Sequence, residues 1–465
     1  MKKINDLIPI DLSIEVLGIT DDSRSVKKDF LFVATKGFNV DHYDYIDDAI
    51  KNGCCFVVCD RKISYDIPYY IVDNINEYYM KLCEKFYDVD LSNKHFIGIT
   101  GTDGKTTTAT IIHELINNCC YIGTNGFIYN NRIIPTNNTT PCVSDLYSYF
   151  NVLDNEKIDN VSMEVSSEAL LHGRVNNILF DIIGFTNVTG DHLNIHTSFN
   201  EYLNCKLKLL NLLKKDGIVI INGDDVNLHS IKCKNMYTFG FDKNNDFVIS
   251  SVKQNNYFVN FTLSYNSSYY EIFSPFIGIH NVYNVTMAFI VAYLYGVDPI
   301  DIISKIKILK PISGRCEFLN FGQKYDIVLD YAHTINGISK ILKTFSNYKK
   351  IITVTGCAGG RDTSKRSEIG KIVMHNSDIS IFTMDDPRYE SVDKIIDEMV
   401  GDSKNYLRII DRKEAIYKAL AMANDFNMVD CVVLILGKGR DSYMAIENKK
   451  IPYNDYEVIK SFFDN

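Results

Sequence analysis

Tryptophan is absent from this 465-residue sequence, whereas tyrosine occurs 30 times and phenylalanine 26 times. Asparagine and lysine are also abundant, and we interpret this skew as a bias of genomic composition without functional meaning. No C-x-x-C pair occurs among the twelve cysteines, which argues against a zinc knuckle. We interpret the cysteines as reduced thiols and therefore expect a cytoplasmic protein.

Long apolar runs and an excess of basic residues are missing as well. No stretch of about 18 apolar residues is present, so no transmembrane helix is expected. The N-terminal segment has no apolar core of the signal-peptide type. The formal net charge is −9, from 49 Lys and Arg against 58 Asp and Glu. Nucleic-acid binding over a wide surface requires a basic face, so we expect no nucleic-acid partner.

Strand-like and helix-like segments alternate along the chain. At roughly 100–200 residues per domain, the length suggests two to four domains. Polar joints at 90–95 and 310–315 predict domains at 1–92, 93–311 and 312–465. The repeated βα units predict an α/β fold with a small N-terminal domain, a central doubly wound domain of the P-loop type and a C-terminal Rossmann-like domain.

Four apolar runs in the last predicted domain indicate parallel strands, each followed by a helical pattern. They cover residues 327–329, 351–354, 379–382 and 432–436. Polar clusters follow these strands. Ligands of such sheets bind beyond the carboxyl ends of the strands, so these clusters are candidate binding residues.

A glycine-rich loop joins a predicted buried strand at 96–100 to a helical pattern that begins near Thr108. Its glycines let backbone N–H groups surround a phosphate, and the helix N-terminus adds positive charge. We predict that Lys105 reaches the β- and γ-phosphates of ATP and that Thr106 binds Mg²⁺.

The loop is shorter than the general consensus, because Ile99 stands where the first glycine is expected. The alternative, a solvated Gly-Lys turn, is disfavoured by the strand–loop–helix context. The predicted ATP-binding residues of the loop are Gly101, Thr102, Asp103, Gly104, Lys105, Thr106 and Thr107.

Lys206 lies on the apolar face of a predicted helix that starts at Phe199. At 100° per residue, Phe199, Leu203, Lys206 and Leu210 fall within about 60° of one another, whereas Lys208 points the other way. A buried ammonium is costly unless it is paired or neutralised. Three explanations stay open from the residues alone: the side chain reaches the surface, forms a salt bridge, or becomes an anionic carbamate that binds metal.

Two further side chains are candidate magnesium ligands. Glu164 ends an apolar run, where the carboxylates of catalytic metal sites are often placed, and His192 follows later in the chain. They could share one Mg²⁺ with phosphate oxygens, although histidine is an unusual ligand for this ion. The alternative for each is a hydrogen-bonded structural residue.

Taken together, these segments resemble the Mur ligases, ATP-dependent enzymes that extend UDP-linked cell-wall peptides. The resemblance covers nearly the whole chain. Asp22-Ser-Arg, Phe30-Leu-Phe-Val-Ala-Thr-Lys-Gly and Asp41-His are similar to the family's uridine-binding domain. Asn138-Thr-Thr-Pro and Glu164-Val-Ser-Ser are similar to the segments that hold the muramoyl-peptide. The UDP-substrate-binding residues that this resemblance implies are Ser23, Arg24, His42, Asn138, Thr139, Thr140, Ser166, Ser167, His172 and Arg174.

The resemblance also bears on Lys206. The spacing from Asp191-His-Leu-x-x-His to Lys206 matches the family's carbamylated lysine, which implies N6-carboxylysine at this position. The implied catalytic residues are Lys105, Lys206, His192 and Glu164. The implied metal ligands are Thr106, Glu164, His192 and Lys206 in its carbamate form.

Clusters in the second half of the chain resemble further family motifs. His280-Asn-Val-Tyr-Asn, Gly314-Arg and Asp330-Tyr-Ala-His-Thr resemble nucleotide-binding segments, which implies ATP-binding roles for Asn281, Arg315 and Asp330. Gly359-Gly-Arg-Asp, Asp385-Asp-Pro-Arg and Gly437-Lys-Gly-Arg-Asp resemble the amino-acid pocket. The residues implied for that pocket are Arg361, Asp385, Asp386, Arg388, Gly437 and Asp441.

The implied reaction joins a diamino acid to UDP-N-acetylmuramoyl-L-alanyl-D-glutamate. ATP and Mg²⁺ convert the carboxylate to an acyl phosphate, which the amine then attacks. We expect a monomer that binds these small molecules. The alternatives are another ligase of the superfamily, such as folylpolyglutamate synthase, or a P-loop ATPase or binding protein without synthetic activity.

The diamino acid is expected to be L-lysine, ahead of meso-diaminopimelate and then ornithine. By the resemblance, Asp386 stands where a diaminopimelate pocket usually has asparagine, which implies an extra negative charge close to the second carboxylate of diaminopimelate, and like charges in a confined site repel. Arg388 and Arg440 argue for diaminopimelate, since either could bind that carboxylate. In a further alternative, Asp386 only pairs with Arg388 and does not select the substrate.

Overall fold

The computed structural model describes residues 1–37, 41–190, 196, 198–425 and 430–464. By contacts the chain divides into two compact units. The first comprises Met1–Thr100, Ile116–Gly184 and Asn204–Val219, and the second comprises Gly101–Leu115, Phe185–Leu203 and Ile220–Asn465. Within the described ranges, no helix is both long and apolar enough to cross a membrane.

The N-terminal region lies in the first unit and is built around a small parallel sheet. Its strands and helices are β1 (Lys2–Lys3), α1 (Ile4–Leu7), β2 (Glu15–Val16), β3 (Gly18–Thr20), β4 (Phe30–Val33), α2 (Ile46–Lys51), β5 (Cys54–Cys59), β6 (Tyr69–Ile71) and α3 (Ile75–Tyr87). The sheet has the strand order β3-β4-β5-β6 with parallel pairing throughout. Phe32 and Val57 of the sheet pack with Ile46 and Ala49 of α2 in its core. These βα repeats agree with the predicted fold class.

The central region continues the α/β pattern. Its strands and helices are β7 (His95–Thr100), α4 (Lys105–Leu115), β8 (Cys119–Gly123), β9 (Gly126–Tyr129), β10 (Arg132–Ile134), α5 (Val143–Glu156), β11 (Asn160–Glu164), α6 (Ser167–Leu171), β12 (Phe180–Phe185), α7 (Phe199–Leu207), β13 (Leu213–Asn222), β14 (Met236–Gly240), β15 (Phe247–Gln254), β16 (Val259–Tyr265), β17 (Ser268–Ser274), α8 (Ile279–Leu294) and α9 (Pro299–Ile308). In the first unit the strand order is β10-β9-β8-β11-β7-β12. The predicted buried strand is β7, which pairs in parallel with β11.

The predicted alternation of strands and helices is wrong for the segment between β13 and α8. In the second unit β15, β16 and β17 form an antiparallel meander, and no α-helix occurs among these described residues. Tyr265 pairs with Ser268, and the residues between them, Asn266 and Ser267, have φ of 46° and 64°. Positive φ at both central residues defines a tight hairpin turn of type I′, which asparagine tolerates.

The C-terminal region lies in the second unit. Its strands and helices are β18 (Glu317–Leu319), β19 (Asp326–Asp330), α10 (Ile335–Thr344), β20 (Lys350–Thr355), α11 (Arg366–Asn376), β21 (Ile379–Phe382), α12 (Val392–Val400), β22 (Leu407–Arg408), α13 (Arg412–Asp425), β23 (Cys431–Leu436), β24 (Tyr443–Ile446), β25 (Lys449–Pro452) and α14 (Asp455–Phe463). The main sheet has the order β18-β19-β23-β20-β21-β22. All four predicted strands are present, as β19, β20, β21 and β23, and they are parallel.

This C-terminal sheet buries both faces. Val432, Leu434 and Leu436 of β23 belong to one apolar cluster, which also includes residues of α10, α11 and α12. Val433 and Ile435 belong to a second cluster with residues of α13 and α14. Because successive strand residues point to opposite faces, helices on both faces explain why β23 is continuously apolar. The predicted doubly wound, Rossmann-like arrangement is confirmed. The predicted domain limits at 92 and 311 stay a prediction.

A buried ion pair fixes the start of α13 to the start of α14. The side chains of Arg412 and Asp455 are both 0% exposed, with nitrogen–oxygen distances of 2.8 and 2.7 Å. Arg412 also donates to the carbonyls of Leu436, at 3.0 Å, and Met384, at 3.4 Å. These carbonyls directly precede the polar clusters after β23 and β21. The ion pair therefore supports the loops in which the amino-acid pocket is predicted.

Replacement of Arg412 by alanine is expected to destabilise the protein by about 3–5 kcal/mol, because it leaves the Asp455 carboxylate buried without its cation. Lys413→Ala is the matched control, since Lys413 is the exposed neighbour and surface changes usually stay within about 0.5 kcal/mol. Urea unfolding of both variants measures the difference. Equal unfolding midpoints for the two variants would contradict the structural role of the pair.

Candidate functional site

The glycine-rich loop lies between β7 and α4 and has the shape of a phosphate cradle. Gly101 and Gly104 adopt φ of 148° and 86°. A Cβ atom on Gly101 would lie 1.9 Å from Oγ1 of Thr186, and one on Gly104 would lie 2.3 Å from Oδ1 of Asn284. Neither position therefore accepts a side chain. The residues fit a nucleotide phosphate at the start of α4, where backbone N–H groups are available.

Residues that follow β12 hold this loop in place. Thr102 N–H donates to the carbonyl of Asn187 at 2.7 Å, and Asp103 N–H donates to the Asn187 side chain at 3.1 Å. Thr186 Oγ1 donates to the carbonyl of Asp103 at 2.7 Å. The Asp103 carboxylate accepts from Thr334 Oγ1 at 3.3 Å. The loop is thus fixed by tertiary hydrogen bonds as well as by its own sequence.

Lys105 and Thr106 begin α4. Nζ of Lys105 donates to the carbonyls of Gly101 and Thr102, at 3.0 and 2.9 Å, so the ammonium lies over the loop. Oγ1 of Thr106 accepts from Nη2 of Arg315 at 3.0 Å. The Arg315 guanidinium also lies over the ring of Tyr331, 4.8 Å from its centroid. This hydrogen bond therefore connects Thr106, which was predicted from the loop sequence, with Arg315, which was assigned by resemblance to the family.

Asp330 and Asn281 occupy buried positions in the same unit. The Asp330 carboxylate accepts the backbone N–H groups of Cys316, at 2.6 Å, and Ala332, at 2.7 Å. Burial raises the pKa of Asp330, and the Arg315 charge opposes this. Asn281 accepts from Asn284 at 3.0 Å. Both side chains have structural partners here, and their predicted contacts with ATP stay predictions.

In the first unit, the Glu164 carboxylate is buried at the end of β11. Its Oε1 accepts from the Tyr121 hydroxyl at 2.5 Å and from Thr124 N–H at 2.8 Å. A side chain on Gly123 would collide with this oxygen. An oxygen ligand held in this way suits Mg²⁺. His192, the ligand predicted beside it, lies outside the described residues.

The residues assigned to the muramoyl-peptide also meet in the first unit. Thr140 Oγ1 donates to the Glu164 carbonyl at 2.8 Å and accepts from Ser166 N–H at 3.0 Å. Nη1 of Arg174 donates to the carbonyl of Thr140 at 3.1 Å. Thr139 is half-buried, whereas Asn138 and His172 are exposed. The protein atoms on one side of the His172 ring remove part of its solvation, which lowers the pKa of His172, and the charge of Arg174 adds to this effect.

Lys206 is 1% exposed, whereas Lys208 is exposed. Burial of Lys206, predicted from its position on the apolar face of the helix, is therefore confirmed. The alternative in which its side chain reaches the surface is wrong. Sγ of Cys205, the preceding residue, donates to the carbonyl of Ser167 at 3.2 Å. This contact places the end of α7 at the segment assigned to the muramoyl-peptide. Carbamylation of Lys206 stays a prediction.

The uridine-side residues form a polar cluster at the end of the N-terminal sheet. Nδ1 of His42 lies 2.8 Å from Oγ1 of Thr35 and 3.8 Å from a carboxylate oxygen of Asp21. Burial raises the pKa of Asp21, and the His42 ring opposes this. Ser23 is buried, and Arg24 is exposed and paired with Asp22. Sequence reasoning missed Asp21, because an aspartate next to a recognised motif carries no separate signal.

The amino-acid segments after β21 and β23 come together around Lys438. Its Nζ lies 2.9 Å from Asp386, 3.3 Å from Asp441 and 4.0 Å from Asp385. Asp386 Oδ1 also accepts from Ala445 N–H at 2.8 Å. Burial raises the pKa of both Asp385 and Asp441. Asp386 thus pairs with a lysine that the sequence analysis did not assign.

The three arginines expected near this pocket differ in their surroundings. Arg361 is exposed after β20. The Arg388 guanidinium donates to the carbonyl of Gly359. Arg440 forms a two-pronged ion pair with Glu317, at 3.0 and 2.6 Å, and stacks 3.6 Å from the ring centroid of Tyr456. Arg440 therefore already has an ion-pair partner within the protein.

A second buried arginine, Arg366, connects two of the pocket loops. It binds Glu390 at 2.9 Å and the carbonyl of Ala358 at 3.1 Å. Glu390 in turn accepts from Gly360 N–H at 2.5 Å, and its bond with Arg366 lowers the pKa of Glu390 to about 2. Helical spacing on α11 would place Arg366 beside Ile369 and Gly370, but no local pattern predicts its distant partner.

A phosphate cradle on a parallel α/β sheet, followed by a Rossmann-like sheet with polar groups at its strand ends, defines a nucleotide-dependent enzyme of several domains. Three family descriptions match the chain: "Mur ligase family, catalytic domain" at 15–90, "Mur ligase middle domain" at 99–292 and "Mur ligase, glutamate ligase domain" at 314–439. The chain belongs to the Mur ligase family and has its three-domain architecture. It is accordingly an ATP-dependent, ADP-forming ligase.

Individual proteins are similar over nearly the full length. The UDP-N-acetylmuramoyl-L-alanyl-D-glutamate–2,6-diaminopimelate ligase of Bacillus cereus is 34% identical over 96% of this chain and 94% of its own length. A solved structure of a ligase with the same name covers 100% of this chain and 99% of its own, with 24% identity and a TM-score of 0.64. MurF ligase from Thermotoga maritima in complex with ADP covers 96% and 97%, with 20% identity and a TM-score of 0.68.

Proposed function

We propose that this protein adds meso-diaminopimelate to UDP-N-acetylmuramoyl-L-alanyl-D-glutamate in the synthesis of a peptidoglycan precursor. The observation that carries the proposal is the full-length likeness to proteins named for this reaction. The uridine-side cluster, the phosphate loop and the acidic C-terminal pocket supply candidate residues for each substrate. Folylpolyglutamate synthase activity is disfavoured because the match includes the N-terminal domain.

The choice of diaminopimelate departs from the expectation of L-lysine drawn from the sequence. That expectation required a charge on Asp386 that would repel a second carboxylate. Asp386 is instead paired with the buried ammonium of Lys438 at 2.9 Å, so its field is partly compensated. Arg361 and Arg388 are the candidate partners for carboxylates of the amino acid.

In the proposed reaction, ATP supplies the phosphoryl group that turns the D-glutamate carboxylate into an acyl phosphate. Lys105 would offset negative charge on the phosphates, and Arg315 is placed to do the same once it leaves the Thr106 hydroxyl. Thr106, Glu164, His192 and carbamylated Lys206 are the proposed Mg²⁺ ligands. Asp441 and Asp385 are proposed to hold ammonium groups of the incoming amino acid.

The amino acid is decided by kcat/KM for meso-diaminopimelate, L-lysine and L-ornithine, measured as ADP release with UDP-muramoyl-dipeptide. We expect diaminopimelate to be preferred by about tenfold or more, since each 1.4 kcal/mol of differential binding gives a factor of ten. A reaction without the UDP-substrate is the control. A comparable preference for L-lysine would overturn the assignment of the amino acid and leave the ligase reaction standing.

A further inference from the structure

Lys438 is a buried cation at the centre of the acidic segments. Its side chain is 1% exposed, and its Nζ lies within 4.0 Å of the carboxylates of Asp385, Asp386 and Asp441. Burial alone would lower the pKa of Lys438, but the three carboxylates outweigh this and raise it. The side chain is therefore held as an ammonium.

The three carboxylates come from two separate loops. Asp385 and Asp386 follow β21, and Lys438 and Asp441 follow β23. Both strands neighbour β20 in the sheet, so Lys438 bridges loops at the carboxyl ends of strands on either side of it. Ligands of parallel sheets bind at this edge, and the ion pairs consequently lie where the amino acid is expected.

The ammonium sets the charge of this cluster. Three carboxylates share one lysine. Among the described contacts, Arg388 donates to the Gly359 carbonyl and Arg440 pairs with the Glu317 carboxylate, so neither arginine is recorded in an ion pair with these three carboxylates. Without Lys438, a second substrate carboxylate would meet three carboxylates that have lost the cation they share. A substrate whose far end carries only an ammonium would instead be attracted more strongly.

We propose that Lys438 is a specificity-determining positioning residue: by pairing with Asp386 and Asp441 it allows a substrate whose distal end carries both an ammonium and a carboxylate. This rests on the proposed function, because it concerns which diamino acid the same pocket takes. Lys438 acts through the carboxylates, not through the reacting atoms. Its removal should therefore change the choice between substrates more than the rate of the chemical step.

The test compares the ratio of kcat/KM for meso-diaminopimelate to that for L-lysine in four proteins. Lys438→Met should lower the ratio at least about tenfold, mainly through KM for diaminopimelate, because the methionine removes the cation that the three carboxylates share. Asp386→Asn should raise the ratio, since it removes one negative charge with little change of shape. Lys418→Met, at an exposed position on α13, is the matched control, and wild type is the reference.

A merely structural role of Lys438 would lower both kcat/KM values by the same factor and leave their ratio unchanged. Ratios within about twofold of wild type in both pocket variants would overturn the proposal. If Lys438→Met does not fold, the Asp386→Asn ratio decides alone: a rise supports the proposal and no change overturns it. Failure of the wild type to use either amino acid would instead reject the proposed function, and this is measured first.

Discussion

Replacement of Lys206 by alanine is expected to abolish ligation, with a loss of at least about a thousandfold in kcat, because a charge-stabilising metal ligand is worth several kcal/mol in the transition state. Lys206 is buried, and the adjacent residue, Cys205, contacts Ser167. A carbamate there would turn a costly buried ammonium into an anionic oxygen ligand. Acetate should restore part of the activity by replacing that ligand, whereas bicarbonate should not.

The control for this variant is Lys208→Ala. Lys208 is exposed and only two positions away, so its loss should leave turnover near the wild-type level. Mass spectrometry of the native protein adds an independent readout, since carbamylation adds a carboxyl group to one lysine. Near wild-type turnover in Lys206→Ala would refute the assigned role, whatever the mass shows.

Replacement of Lys105 by alanine is expected to remove ATP turnover and leave binding of UDP-muramoyl-dipeptide largely unchanged. Lys105 belongs to the phosphate loop of the second unit, whereas Ser23, Arg24 and His42, assigned to uridine, belong to the first. Removal of the ammonium at the transferred phosphate acts on phosphoryl transfer, not on the uridine side.

Two measurements separate these effects: ADP release for turnover and calorimetry for the UDP-substrate. Glu114→Ala is the control, since Glu114 is an exposed residue of the same helix, α4. Loss of UDP-substrate binding in Lys105→Ala, with the fold preserved, would contradict the assignment of the two sites to different parts of the chain.

Sequence reasoning succeeded where the decisive interactions are local. The phosphate loop is one continuous segment between a strand and a helix, and the structure places it so. Helical periodicity placed Lys206 on the apolar face, where the structure buries it, but left open a side chain that reaches the surface. The four parallel strands of the C-terminal sheet are rich in apolar residues, as expected for strands covered on both faces.

The sequence was less informative where the partners are far apart. Arg412 and Asp455 are separated by 43 positions, and Lys438 and Asp386 by 52. No periodicity connects such residues, and only the strand order brings them together. The expectation that Asp386 favours L-lysine was drawn without the contact to Lys438, a lysine in another loop that offsets the charge of this carboxylate.

The antiparallel meander was missed for a different reason. Its hairpin signal, Asn266-Ser267 between alternating strands, was present in the sequence, but the repeated βα pattern on both sides favoured further helices. A two-residue turn that begins with asparagine should outweigh that expectation, because a turn with positive φ at both central residues is incompatible with an intervening helix.

The strand order of the C-terminal sheet also constrains how the protein is made. β23 lies between β19 and β20 in the sheet. Asp326 of β19 therefore pairs with Val432 of β23, a residue that is synthesised much later. During synthesis the ribosome must release most of this domain before its central strand exists, and such non-local pairing slows folding. The same late segment carries Lys438. A nascent chain that stops early therefore lacks both the centre of the sheet and the charge of the amino-acid pocket, which ties assembly of the domain to assembly of its pocket.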